Sequence, residues 1–275
     1  MTKVTVLGLG ATGSRMAVRL IDAGHDGTVW NRTPDRAAPL VTEGATLAET
    51  PQHAAQNAEI VLSMVNDDAA ARAVWLGSDG ALSGLAPTAL AVESSTTSPD
   101  WIGELAKATG PRLLDAPVAG SRPQAEAGDL IFLTGGTPEN AARFEPVAQA
   151  MGRAVLHAGP QGKGIALKLI VNGLLGLQTA ALAELLAYGE TMGLPAAQTM
   201  DLISDTPVTS PAAKIAGALI AAGNHAPLFT VDQIIKDLRY LTQGTDMPVL
   251  ETTRAAFEQA QQKGNSQKHI TAVAL

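Results

Sequence analysis

Lys168 and Asn172 stand four residues apart in Gly162-Lys163-Gly164-Ile165-Ala166-Leu167-Lys168-Leu169-Ile170-Val171-Asn172, so on a helix they share one face. The residues around them are apolar, and an ammonium buried there is costly unless it is paired or put to use. The bland alternative for Lys168 is to snorkel along its stem to water. Put to use, a buried lysine can stabilise a negative charge that builds on a nearby oxygen and can supply a proton to it. To accept a proton instead, the amine must be neutral, with a pKa well below the ~10.4 of free lysine, as desolvation could provide.

A second group handles anions. Gly8-Leu9-Gly10-Ala11-Thr12-Gly13 spells GxGxxG after an apolar run and at the mouth of a helical stretch. The first glycine allows a tight turn, the second lets the backbone approach a pyrophosphate, and the third lets helix and strand pack closely, with the helix N-terminus facing the anion. The next β-rich run ends in Asn31-Arg32-Thr33. An NAD site usually has Asp or Glu there for the ribose 2′-hydroxyl, whereas a cation with neutral polar groups suits a 2′-phosphate. The expected cofactor is therefore NADP(H); otherwise Arg32 is a solvated surface residue. Two more segments, Ser95-Thr96-Thr97-Ser98-Pro99 and Asp115-Ala116-Pro117-Val118-Ala119-Gly120-Ser121, each follow a candidate strand, at the carboxyl edge where open α/β sheets bind ligands.

These residues need a scaffold, and the pattern of the first 160 residues supplies one. β-rich runs at 3–7, 28–30, 59–64, 89–93, 112–116, 130–134 and 154–157 alternate with helical stretches at 12–23, 34–43, 67–75, 99–109 and 138–151. Strand and helix in turn predict βαβ units and a largely parallel, doubly wound sheet of the Rossmann type over residues 1–160. After Gly159-Pro160-Gln161-Gly162 the pattern is helical only, opening with a long helix over 164–192 and continuing at 196–204, 211–222, 231–244 and 249–263. The fold class is thus α/β, with an all-α domain over 161–275 and a long interdomain helix. That helix carries more apolar surface than its domain can easily cover, which predicts packing against a second subunit, as a homodimer or homotetramer.

Composition removes other classes. Of 275 residues, 46% are hydrophobic and 16% charged, which is globular rather than disordered. A net charge of −7 repels polyanions, so neither nucleic acid nor an acidic membrane is an expected partner. The chain has no cysteine, which removes disulfides and thiol chemistry and fits a reducing compartment. The apolar stretch after Met1-Thr2-Lys3 is short and runs into glycines, and no run reaches ~18 uninterrupted apolar residues, so a cytoplasmic location is expected. His25, His53, His157, His225 and His269 are scattered, which argues against a metal site. Gly162-Lys163 lacks the Ser/Thr of a phosphate loop, and there is no GxSxG elbow.

Taken together, GLGATG, GHDGTVWNRT, SSTTSP, DAPVAGS, GKGIALKLIVN and KDL at Lys236-Asp237-Leu238 resemble the β-hydroxyacid dehydrogenase family over nearly the whole chain. Asn31-Arg32-Thr33, Ser121 and Phe229 resemble most its NADPH-dependent glyoxylate and succinic semialdehyde reductases. The resemblance implies that Lys168 is the catalytic lysine and that Asn172 shares its site. It implies that Gly8, Leu9, Gly10, Ala11, Thr12, Gly13, Asn31, Arg32, Thr33, Thr96 and Lys236 serve the cofactor. Ala119, Gly120 and Ser121 would hold the carboxylate of a small-molecule substrate, with Phe229, Lys236 and Asp237 closing the pocket from the helical domain. Two departures stand out: Ala119 replaces the usual serine, removing a hydroxyl from the carboxylate loop, and Thr12 replaces a common methionine. Two other readings compete, an imine reductase-like NADPH enzyme, which would typically lack Lys168, and a catalytically silent NADP-binding scaffold.

Overall fold

The computed structural model describes all 275 residues, Met1–Leu275. Nine strands form one sheet: β1 (Lys3–Leu7), β2 (Asp26–Trp30), β3 (Thr46–Leu47), β4 (Ile60–Ser63), β5 (Leu90–Glu93), β6 (Leu113–Asp115), β7 (Val118–Ala119), β8 (Leu130–Gly135) and β9 (Gly152–Gly159). The order β3-β2-β1-β4-β5-β6 is parallel throughout. Beyond it the sheet is mixed: β6 and β7 run antiparallel to β8, and β9 pairs with β8 in parallel.

Alternation along the strands makes the sheet doubly wound. Val4, Val6, Ile60, Leu62, Leu90, Val92 and Leu114 enter one apolar cluster with Met16, Leu20 and Phe144, whereas Leu7, Val61, Ala91 and Leu113 enter another with Trp75, Trp101 and Leu105. Successive residues of a strand face opposite sides, so each strand is apolar on both, as a sheet covered by helices on both faces requires. On the first face Phe132 and Phe144 meet edge to face with ring centroids 5.2 Å apart.

The chain divides into two compact units, Met1–Lys168 and Leu169–Leu275. The division lies beyond the Gly159–Gly162 break because the first turns of the long helix Lys163–Thr191 belong to the sheet: Ile165 is fully buried in the cluster of Trp75 and Trp101. The sequence pattern misses β3, β7 and the short helices Pro51–Ala55, Ala81–Gly84 and Arg122–Ala127, all too short for a period to register. The expected helix over 34–43 is a 3₁₀ turn, Pro34–Ala37, followed by the helix Ala38–Thr42.

The second unit is helical. Val231, Ile234, Ile235, Leu238, Phe257, Ala260 and Ile270 form its main core with Ala180 of the long helix. Small residues let the helix Val231–Thr242 come close: a Cβ on Gly173 would lie 2.6 Å from Leu241 Cδ2, and one on Gly176 would lie 3.2 Å from Ile234. The long helix has a mean hydropathy of 1.6 over its most apolar eighteen-residue window, enough by length and composition to cross a membrane, yet half of that window is buried within the protein. Ile170, Leu174, Leu185 and Tyr188 on it are exposed.

Candidate active site

The glycine loop joins β1 to the helix Gly13–Asp22. Gly8 has φ +101°, and a Cβ there would lie 2.4 Å from the Met64 carbonyl oxygen; a Cβ on Gly13 would lie 2.1 Å from the Gly8 carbonyl oxygen. Both are therefore glycine because the chain leaves no room. Gly10 differs, since a Cβ there meets no protein atom within 4 Å. Helical bonding starts with Ser14 N donating to the Gly10 carbonyl at 3.1 Å, which leaves the preceding amides at the helix mouth outside the helical ladder. Open space above Gly10, at the positive end of a helix, fits a dinucleotide pyrophosphate.

Asn31, just after β2, holds this loop with part of its hydrogen-bonding capacity. Its Oδ1 accepts from the Leu9 amide at 2.9 Å, and its Nδ2 donates to the Thr33 carbonyl at 2.9 Å. Arg32 and Thr33 are exposed, and so is Arg36 one 3₁₀ turn on, a second cation that the sequence pattern did not single out. The loop is braced from below as well. The Val65 amide donates to Ser95 Oγ at 2.9 Å, tying the exit of β4, against which Gly8 packs, to the segment that carries Thr96.

Under that segment lies Glu93, which has no exposure. Its Oε1 accepts from the Ser95 amide at 2.9 Å, and its Oε2 accepts from Trp75 Nε1 at 2.9 Å and Trp101 Nε1 at 3.5 Å. Burial pushes its carboxyl above the usual range, against bonds from Ser95, Ser63 and Trp75 that favour the carboxylate. Asp115, in register with Glu93 on the next strand, is equally buried and caps the start of the long helix. Burial raises its carboxyl too, opposed by backbone amides of Gly162, Ile165 and Gly164.

The chain then passes through Ala116-Pro117 into β7 and Gly120-Ser121. Ser121 caps the helix Arg122–Ala127: the Ser121 amide donates to Gln124 Oε1 at 2.9 Å, and the Ser121 hydroxyl lies 3.0 Å from the same oxygen. Arg122 follows with its Nε buried and lacking a hydrogen-bond partner, a cation beside the loop that sequence reasoning passed over.

Lys168 is buried, 8% exposed. Asn172, one turn on, is 3% exposed; its Nδ2 donates to Asp237 Oδ2 at 2.6 Å, while the other oxygen of Asp237 pairs with Lys236 Nζ at 3.0 Å. Lys236 Nζ also lies 5.1 Å from the Tyr240 ring centroid. Asn172, Asp237 and Lys236 thus form one connected polar group in the second unit. Phe229 is packed at the edge of that unit's main core. No group of three or more His, Asp or Glu side chains is arranged to hold a metal.

A family model described as the NAD binding domain of 6-phosphogluconate dehydrogenase matches residues 3–159, and one described as the NAD-binding domain of NADP-dependent 3-hydroxyisobutyrate dehydrogenase matches residues 162–275. The chain is 38% identical over 209 residues to 3-hydroxyisobutyrate dehydrogenase of Pseudomonas aeruginosa, covering 75% of this chain and 70% of that one. It is 31% identical over 277 residues to the chloroplastic glyoxylate/succinic semialdehyde reductase 2 of Arabidopsis thaliana, covering 97% and 77%. The solved structure of Mycobacterium tuberculosis 3-hydroxyisobutyrate dehydrogenase with L-serine superposes with a TM-score of 0.90 at 26% identity, covering 100% of this chain and 98% of that one. With a nucleotide loop shaped for a dinucleotide and a buried lysine one turn from a buried asparagine, the chain belongs to the β-hydroxyacid dehydrogenase family of nicotinamide-dependent oxidoreductases.

Proposed function

We propose that the protein transfers hydride reversibly between NADP(H) and short carboxylic acids that carry an aldehyde or a hydroxyl, of the glyoxylate, succinic semialdehyde or 3-hydroxyisobutyrate type. The observation that carries this reading is Lys168, a buried ammonium one helical turn from a buried carboxamide. When bound, the reduced dinucleotide supplies the hydride. Lys168 Nζ gives its proton to the carbonyl oxygen, which would otherwise become an alkoxide, and regains a proton from solvent before the next turnover. Asn172, held by Asp237, orients the same oxygen. The amides before Ser14 hold the pyrophosphate, Thr96 lies towards the nicotinamide end, and the Ala119–Ser121 loop takes the acid group with Arg122 beside it.

NADP is favoured over NAD because no carboxylate stands at Asn31–Thr33 and Arg32 is exposed there with no hydrogen bond or ion pair. Arg32→Ala should raise the KM for NADPH by about tenfold and leave that for NADH nearly unchanged, consistent with the loss of one charge-assisted contact. Equal constants for the two cofactors in the parent protein would refute the preference.

The mechanism is tested by Lys168→Ala, for which we expect turnover to drop by about a thousandfold or more while NADPH still binds, since both charge stabilisation and proton supply are lost. Retained turnover would remove Lys168 from its role. An assay of the parent protein with cyclic imines beside aldehyde acids separates this reading from an imine reductase; inactivity on both classes would favour a silent scaffold. We also place Ile170, Leu174, Leu185 and Tyr188 against a second copy of the chain in a cytoplasmic homodimer or homotetramer, and a monomer in sedimentation at micromolar concentration would refute it.

A further inference from the structure

Asp115 has no exposure and stands at a fork between two parts of the proposed chemistry. Its backbone leads through Ala116-Pro117 into the Val118–Ser121 loop. Its carboxylate holds the first turn of the helix that carries Lys168: Oδ1 accepts from the Gly162 amide at 2.8 Å and Oδ2 from the Ile165 amide at 2.8 Å. These are donors that a helix leaves unused at its N-terminus, and a carboxylate there also meets the positive end of the helix dipole.

The fit leaves little slack. A Cβ on Gly135 would lie 2.6 Å from Asp115 Oδ1, and a Cβ on Gly164 would lie 2.8 Å from Oδ2 and 2.4 Å from the Leu133 carbonyl oxygen. Gln161 Nε2 donates to the Gly110 and Leu113 carbonyls at 2.9 and 3.2 Å, fastening the preceding turn to the start of β6. Lys168 lies three positions beyond Ile165, about 4.5 Å of helix, so a shift at the cap is passed on to the lysine almost undiminished.

We infer that Asp115 is a positioning residue: it fixes Lys168 relative to the loop that takes the acid group of the substrate, so that one residue sets the span between carbonyl oxygen and carboxylate. The inference rests on the proposed role of Lys168. In Asp115→Asn one acceptor oxygen becomes an NH₂ facing an amide donor, with shape preserved.

The test compares succinic semialdehyde with butanal, which has an aldehyde but no acid group to anchor. Asp115→Asn should bind NADPH within about twofold of the parent. Its kcat on succinic semialdehyde should fall by about tenfold or more, and that on butanal by less than about threefold, because misplacement costs most where the substrate is held at both ends. Gly164→Ala, which keeps the carboxylate and displaces the helix, should give the same split.

Equal losses on the two aldehydes, unchanged kinetics, or failure of both variants to fold and bind NADPH would each overturn the inference, leaving Asp115 a purely structural residue. Lys168→Ala measured alongside keeps the two readings apart. If it stays active, the role of the lysine falls; if it is inactive while Asp115→Asn behaves as the parent, only the positioning role falls.

Discussion

Glu93 and Asp115 sit side by side at the carboxyl ends of neighbouring parallel strands, both without exposure and both with burial raising the carboxyl, yet their partners differ in kind. Glu93 is satisfied mainly by side chains, the Trp75 and Trp101 indoles, with one amide from Ser95. Asp115 is satisfied by backbone amides that begin a helix. Side-chain partners can turn to a new rotamer when one is lost; amides at a helix start move only with the helix. The difference teaches that one acid anchors packing while the other anchors chain geometry.

The most severe way to attack that contrast is Gly135→Ala. A methyl 2.6 Å from both Asp115 Oδ1 and the Gly164 amide nitrogen has no rotamer to escape into, and a loss of about 3 kcal/mol is expected in urea unfolding followed by circular dichroism. Trp75→Phe should cost less, about 2 kcal/mol in the same measurement. It shrinks the indole to a phenyl ring and removes the N–H shared by Glu93 and Ser63 Oγ, 3.0 Å away. If the tryptophan change proves the costlier of the two, the contrast is reversed.

A gentler probe is pH. Because the Glu93 carboxyl is raised in the folded state, the stability it contributes is full below the ordinary value of 4.5 and is lost as pH rises through the folded value. Glu93→Gln, which imitates the protonated acid, should therefore flatten the fall of Tm on the alkaline side of pH 4.5 relative to the parent; an unchanged slope would mean that Glu93 does not titrate there. The smallest effect should come from His225 and His269, which flank the Thr271 hydroxyl at 2.9 and 3.0 Å and are lowered, chiefly by burial. Their contribution has the opposite sign, present above 6.5 and lost as pH falls below it, so replacing both with Gln should flatten only the acid limb of the Tm profile.

What could be read from the sequence was what depends on near neighbours. The glycine loop is local in its sterics, since Gly13 is excluded from carrying a side chain by Gly8, and the alternation of strand and helix needs only periodicity. The lysine and asparagine pair was legible for the same reason, one helical turn being enough to put them on one face. Asp115 drew notice only as part of a strand exit, because its partners Gly162 and Ile165 lie 47 and 50 residues further on. For Asn31 the sequence suggests a cofactor contact but not the side-chain bonds to Leu9 and Thr33, which need the fold to bring β2 beside the loop. The Arg122–Ala127 helix did carry a local signal, Ser121 with Gln124 three residues on, in the pattern of a capping box.

The three glycines of the first loop answer to different masters. Two are imposed by the surrounding backbone, whereas a Cβ on Gly10 would meet nothing within 4 Å, so on the proposed reading only the dinucleotide asks for glycine there. A descendant of this chain that gave up its dinucleotide would be obliged to keep Gly8 and Gly13 in order to fold, and free to lose Gly10 at little structural cost. An alanine at that one place would therefore record a change of ligand rather than a change of fold.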